Sequence, residues 1–340
     1  MIENTNNWPL EHWHIELCSK CSLKCPRCTR QEVPGLTNTE LTLDWFRKNF
    51  TTELLQEIKK ITLCGDDGDP IYAKDLISII RYIKNANSLI QFVIVTNGSY
   101  KTGAWWQELF SCLDQNDHIH FSIDGWDHAS NNLYRINSDW SSIMNAVDIA
   151  SNHSVYKTWA TIAFRFNENS IDSIKDIAQQ KNFDVFQLTL SSKFGSVYES
   201  YPKNDPLEPS QNYVAHGRFE RQYFNLSNRK WSDSVKAIHS QRYEDMAQSK
   251  DDIKALCSVG NKGLYVNAMG RFYPCCWTGL RYQHNKGLFN DVDHTKSLCE
   301  VLNDTRWNNL FESFELGICP QECKEKCSAK KFNLEHATNF

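Results

Sequence analysis

The 340-residue chain has no apolar run approaching the roughly 18 residues of a membrane-crossing helix. Its first ten residues, Met1 to Leu10, are polar and lack the basic and apolar regions of a secretory signal. Positive charge is not in surplus: 37 Lys and Arg stand against 41 Asp and Glu, a formal net charge of −4. The composition therefore gives no pull towards nucleic acid or an anionic membrane, and neither is expected as a partner. Internal repeats and low-complexity tracts are missing as well. What remains is a globular, cytoplasmic chain, long enough for one large domain or about two.

Cysteine is what the chain has in excess. Thirteen are too many for an ordinary enzyme of a reducing compartment and too unevenly placed for a disulfide scaffold. Four fall between Cys18 and Cys28 and seven between Cys257 and Cys327, with Cys64 and Cys112 between the groups. Two such clusters point to metal.

Up to about residue 190, short β-type runs alternate with helical stretches. Strands are predicted at His12–Leu17, Ile61–Cys64, Ile90–Thr96, His118–Ile123, Thr158–Phe164 and Val185–Leu190. Helices are predicted at Leu43–Lys60, Leu76–Ile83, Ser142–Ala150 and Ile171–Gln180. This alternation indicates βαβ units and a parallel sheet, as an incomplete (β/α)6 barrel or an open doubly wound sheet. Residues 191–256 are polar and broken by prolines, and read as a connector with a helical stretch near Val235–Leu256. There, Tyr213, Arg218, Arg221, Tyr223 and Trp231 are candidates either for a substrate entrance or for a solvated face. Residues 257–340 form a cysteine-rich module with a hairpin predicted from Gly263–Val266 and Arg271–Pro274.

The first cluster runs Cys18-Ser-Lys-Cys21-Ser-Leu-Lys-Cys25-Pro-Arg-Cys28, directly after the first strand. Spacings of three and two residues let one loop wrap Cys21, Cys25 and Cys28 around three corners of an iron–sulfur cubane, leaving one iron open. Paired Cys-x2-Cys elements that include Cys18 leave a zinc knuckle as the alternative.

At these residues the chain resembles the radical S-adenosylmethionine (SAM) superfamily, whose signature is Cys-x3-Cys-x2-Cys after the first barrel strand. Gly65-Asp-Asp-Gly68-Asp69-Pro70 is similar to the family's glycine-rich motif for the SAM amino group. Thr96-Asn97-Gly98 resembles the family's Thr-Asn-Gly. Ser122-Ile-Asp-Gly125 and Tyr134-Arg135 resemble elements of the SPASM/Twitch branch. Each falls at the C-terminal end of a predicted strand, where ligands of parallel α/β folds sit. The resemblance implies a partial (β/α)6 barrel with a Twitch-like module, a [4Fe–4S] cluster at Cys21, Cys25 and Cys28, and SAM contacts from Gly68, Asp69, Thr96, Asn97, Ser122 and Arg135. One position departs: an aromatic usually precedes the third cysteine, and here Arg27 stands there, a guanidinium that can stack on a purine.

In the second cluster, Cys257, Gly270 and Cys275 resemble the opening of SPASM and Twitch extensions, which carry auxiliary [4Fe–4S] clusters. Seven thiols fall short of the eight that two fully ligated clusters need. Setting aside Cys276, whose side chain would point away from Cys275 in an extended segment, and Cys299, read as helix core, leaves Cys257, Cys275, Cys319, Cys323 and Cys327 for one cluster. Structural zinc is the alternative there. Cys18 and Cys112 read as packing residues, and Cys64 as a possible hydrogen-atom donor. The resemblance implies reductive cleavage of SAM, hydrogen abstraction, and a flavodoxin- or ferredoxin-like electron donor. The cluster motif lies within the first barrel element, which favours a small molecule, or a peptide delivered by a partner, as substrate. RiPP-type peptide or protein modification and a zinc-scaffold protein are the other readings.

Overall fold

The computed structural model describes residues 8–32, 36–190, 205–211, 213, 220–224, 263–280, 296–305 and 307. The six predicted strands form as β1 (His12–Ile15), β2 (Lys60–Leu63), β3 (Gln91–Thr96), β4 (His118–Ser122), β5 (Tyr156–Ala163) and β6 (Val185–Leu190). They pair in sequence order and all in parallel. Helices α1 (Leu43–Asn49), α2 (Thr52–Glu57), α3 (Leu76–Ala86), α4 (Gly103–Ser111), α5 (His128–Asn132), α6 (Trp140–Ala150) and α7 (Ile171–Gln180) make the crossovers. This is the partial (β/α)6 barrel, extended at both edges.

The single helix expected over Leu43–Lys60 is two. Phe50 leaves helical geometry at φ −104°, ψ 73°, and Thr51 Oγ1 caps α2 by accepting from the Leu54 N–H at 3.4 Å. A hydroxyl that caps competes with helix continuation. The break lets Phe50 fill the core, 5.0 Å from the Trp13 ring and 5.3 Å from Phe46.

At one edge, β7 (Glu220–Tyr223) runs antiparallel to β6. At the other, the predicted hairpin forms as β8 (Leu264–Val266) and β9 (Phe272–Tyr273), and β8 pairs in parallel with β1. Beyond it lie α8 (Cys276–Leu280) and α9 (Leu298–Leu302). Trp8 Nε1 donates to the Leu302 carbonyl at 2.9 Å, and Asn49 Oδ1 accepts from the Leu298 N–H at 2.9 Å. The described C-terminal residues thus share one core with the barrel. The predicted helix near Val235–Leu256 lies outside the described residues. Among the described residues no helix is long and apolar enough to cross a membrane.

Register divides the sheet into two unlike faces. Trp13, Ile61, Phe92, Phe121, Trp159 and Phe186 share the face that packs against the helices. His14, Thr62, His120, Thr158, Gln187 and Arg221 alternate with them on the concave face.

Glu16 stitches three elements together. It is fully buried and accepts from the Asp66 N–H (2.9 Å), the Asp67 N–H (3.2 Å) and the Tyr265 hydroxyl (2.5 Å). Burial first, then the charges of Asp67 and Asp66, push its carboxyl well above the ordinary value of 4.5. The folded state therefore holds this proton more tightly than the unfolded chain does. The resulting stability is complete below pH 4.5 and is lost as pH rises through the shifted value. Urea titrations at a series of pH values should show the wild type losing stability relative to Glu16→Gln above pH 4.5.

Candidate functional site

The site lies at the C-terminal ends of β1 to β4, where the loop after β1 brings Cys21, Cys25 and Cys28 onto one wall with Leu23, Tyr134 and Phe164. The Cys28 N–H donates to the Cys25 carbonyl at 3.1 Å, tightening the loop between these two cysteines. Cys18 turns the other way, into the main core, where its thiol donates to the Asp69 carbonyl at 3.3 Å. That orientation separates Cys18 from the other three and does not build the four-thiol zinc knuckle.

Asp69 holds the neighbouring loops in place. Its buried carboxylate accepts from Thr96 Oγ1 (2.9 and 3.1 Å), the Asn97 N–H (2.6 Å), Asn97 Nδ2 (2.6 Å) and the Ile71 N–H (3.1 Å). Burial pushes the carboxyl up to about 6, and these donors work against that shift. The carboxylate read from the sequence as an acceptor for an ammonium is thus engaged by the chain itself, and it aims Asn97. Asn97 Nδ2 also lies 3.7 Å from Cys21 Sγ. Gly68 has to be glycine, because a Cβ there would lie 2.2 Å from the Cys18 carbonyl oxygen. Gly98, at φ +73°, closes the Thr-Asn-Gly turn in the left-handed region.

Arg135 Nε donates to Asp124 at 2.6 Å, and the guanidinium also reaches the Cys25 thiol. Asp124 is fully buried and pairs with Arg135, so its carboxylate sets the direction of the guanidinium. Ser122 ends β4, half-buried on the concave face. Desolvation raises the thiols: Cys25 to about 11 and Cys21 to about 12, Asp69 contributing to the latter. Bare thiols here stay protonated, so assembling a metal cluster releases protons. Three thiols of one loop, with an amide donor on one and a guanidinium on another, fit a three-cysteine cluster. Among the described residues, no three His, Cys, Asp or Glu side chains form a single-ion site.

Arg27 is buried and forms an ion pair with Asp205. Sequence reasoning missed this connector segment. Leu207 packs against the cysteine wall, its carbonyl accepts from the Arg165 N–H at 3.1 Å, and Glu168 accepts from the Ser210 N–H at 2.7 Å. No local signal marks it, because Arg27 and Asp205 stand 178 positions apart.

Of the five auxiliary-cluster candidates, Cys275 is described. It is buried, with its sulfur 3.8 Å from Thr278 Oγ1. Cys257, Cys319, Cys323 and Cys327 lie outside the described residues. Cys276 begins α8, so it does not lie in the extended backbone assumed when it was set aside. Its charge instead acts on Cys64, the half-buried thiol after β2, which burial raises well above its ordinary value. Cys299 lies on α9, half-buried. Of the connector residues, Tyr213 packs against the core and Tyr223 is exposed, while Arg218 and Trp231 lie outside the described residues.

No protein-family model matches the chain, and no curated protein does. Solved structures do. Streptococcus suis SuiB bound to S-adenosylmethionine matches with a TM-score of 0.57 at 13% identity, covering 94% of this chain and 70% of that one. SuiB bound to precursor peptide SuiA gives 0.56 at 14%, covering 91% and 67%. The enzyme anSMEcpe with bound AdoMet gives 0.57 at 16%, covering 92% and 84%. The fold is that of the radical SAM enzymes. At these identities the likeness carries the fold, and within the radical SAM fold the three thiols stand at the carboxyl ends of the strands.

Removing the Asp69 carboxylate leaves the Thr96 and Asn97 donors without their acceptor. Asp69→Ala should lower the unfolding free energy by about 2–3 kcal/mol, and Asp69→Asn, which keeps an oxygen, by less. Anaerobic urea denaturation measures both.

Proposed function

We propose that the chain is a radical SAM enzyme acting on a peptide, with a small-molecule substrate as the second reading. The observation that carries it is the common wall of Cys21, Cys25 and Cys28, with Asn97 on Cys21 and Arg135 on Cys25. These thiolates would hold a [4Fe–4S] cluster by three irons, leaving the fourth for the amino and carboxylate groups of SAM. When bound, this pair supplies one-electron cleavage of the sulfonium and an adenosyl radical that takes a hydrogen atom from substrate.

The chain's own residues orient and shield. Asp69 fixes Thr96 and Asn97 beside Cys21, and Gly68 lets the glycine-rich turn lie against the cysteine loop. Ser122 and Arg135 stand at the same rim as donors for a carboxylate, with Asp124 setting the guanidinium. Arg27, Asp205 and Leu207 cover the loop from the connector side and exclude water. The peptide reading draws on the neighbours in fold, of which SuiB is bound to precursor peptide SuiA and anSMEcpe to the Cp18Cys peptide. A second [4Fe–4S] cluster would be held by four of Cys257, Cys275, Cys319, Cys323 and Cys327. Full cysteine ligation suits it to accepting an electron, which favours an oxidation. A flavodoxin- or ferredoxin-like donor in a reducing cytoplasm would supply the first electron.

Anaerobically reconstituted protein should contain about eight irons and release 5′-deoxyadenosine from SAM under strong reductant. Replacing Cys21, Cys25 and Cys28 together by Ala should leave about four irons and abolish cleavage. Zinc in place of iron, or cleavage that survives the triple replacement, overturns the reading.

A further inference from the structure

An asparagine side chain carries an acceptor and two donors on one planar group, so its neighbours decide which way the amide faces. At Asn97 they leave one choice. The Ser99 N–H, which can only donate, reaches Asn97 Oδ1 at 2.9 Å. On the other side Asp69 Oδ2 accepts from Asn97 Nδ2 at 2.6 Å, and the same oxygen accepts from the Asn97 main-chain N–H at 2.6 Å. Turning the amide over would set oxygen against carboxylate and N–H against N–H. Asn97 is buried, where such bonds are strongest.

One Nδ2 hydrogen serves Asp69, and the other is left for Cys21 Sγ, 3.7 Å away. The Leu23 N–H donates to the same sulfur at 3.4 Å. Cys21 is thus met by two amide donors, one from its own loop and one from the loop after β3. Asp69 already accepts from Thr96, Ile71 and the Asn97 main chain, so holding the strut does not by itself call for a side-chain amide here. Ligand sulfurs carry more negative charge in a reduced iron–sulfur cluster than in an oxidised one. An N–H aimed at such a sulfur stabilises the reduced form and raises the reduction potential.

We propose that Asn97 sets the potential of the cluster at Cys21, Cys25 and Cys28, raising it towards the reach of its reductant through the Nδ2–H bond to Cys21. The step concerned is uptake of one electron by the oxidised cluster from an external low-potential reductant, with no bond made or broken. Asn97 acts through a ligand of the cluster, so it is a positioning residue. The inference rests on the radical SAM reading for the identity of the cluster. It gives the asparagine of the Thr-Asn-Gly turn an electrostatic task beside its place in the loop.

A redox titration of the anaerobically reconstituted full-length protein, without SAM and followed by the electron paramagnetic resonance of the reduced cluster, tests it. The signal at issue is the one absent when Cys21, Cys25 and Cys28 are all replaced by Ala. Asn97→Ala should make reduction about three- to tenfold less favourable, a fall of about 30–60 mV at about 59 mV per decade for one electron. Thr96→Val removes the hydroxyl bonded to both oxygens of Asp69 and leaves the Asn97 amide in place, so its potential should stay with the wild type. A merely structural role for Asn97 would move both variants together. Asn97→Ser carries the test if Asn97→Ala does not take up its irons, because the hydroxyl ends one bond short of Nδ2 and should give the same fall. An unchanged or raised potential in the Asn97 variants, an equal fall in Thr96→Val, or loss of the cluster in both Asn97 variants overturns the proposal. The potential is read without turnover, so the two readings fail separately. A shifted potential in protein that cannot cleave SAM removes the enzyme reading alone, and cleavage with an unshifted potential removes this one.

Discussion

The candidate site depends on one buried carboxylate. Asp69 receives hydrogen bonds from Thr96, Asn97 and Ile71, and its own N–H donates to the Lys20 carbonyl at 2.9 Å. The loops after β1, β2 and β3 are thereby referred to a single pair of oxygens. An uncompensated charge at this depth would be prohibitive, and the ring of donors makes it tolerable. The same ring fixes the Asn97 amide against Cys21. In this sense the site is built from the inside: the Gly-Asp-Pro turn is a strut, and it sets the positions of Thr96 and Asn97.

A second constraint acts from the connector. The buried Arg27–Asp205 ion pair and Leu207 tie the cysteine loop to the connector. Breaking such a pair by removing one partner leaves the other charge buried and alone, which typically costs about 3–5 kcal/mol. The loop is therefore held by two charged anchors, one in the turn after β2 and one in the connector.

Much of this was legible in the sequence, and the remainder has a common reason for being hidden. Strand and helix positions followed from periodicity, and the hairpin from the paired runs Gly263–Val266 and Arg271–Pro274. The cysteine loop and the turns after β2, β3 and β4 announced themselves by residue type at fixed spacing. The break at Phe50–Thr51 was missed because apolar periodicity runs through it, while the cap that ends it is a single hydroxyl. Asp69 was found, but its bonds to Thr96 and Asn97 were not, since a carboxylate in a turn looks alike whatever group of the chain it bonds. Glu16–Tyr265 and Arg27–Asp205 join residues 249 and 178 positions apart, beyond the reach of any local pattern. The His-Ile-His-Phe-Ser alternation of β4 did carry the polar interior, but it shows as a lined face only once the neighbouring strands are in register.

The pairing of β8 with β1 bears on the order in which the molecule can be made. Strands β1 to β6 can zip up as they emerge, each closing a loop of a few tens of residues. The outer edge of β1 has no partner until Leu264 to Val266 arrive, some 250 positions later. Closing so long a loop adds only slowly to the entropic cost, but it cannot happen before the chain exists. During synthesis, then, β1 is an unprotected edge, and Glu16 waits beside it for the Tyr265 hydroxyl. The cysteine loop hangs from that same strand. A nascent chain therefore hangs its cysteine loop from a strand with one edge still open, and that strand is completed last although it is encoded first.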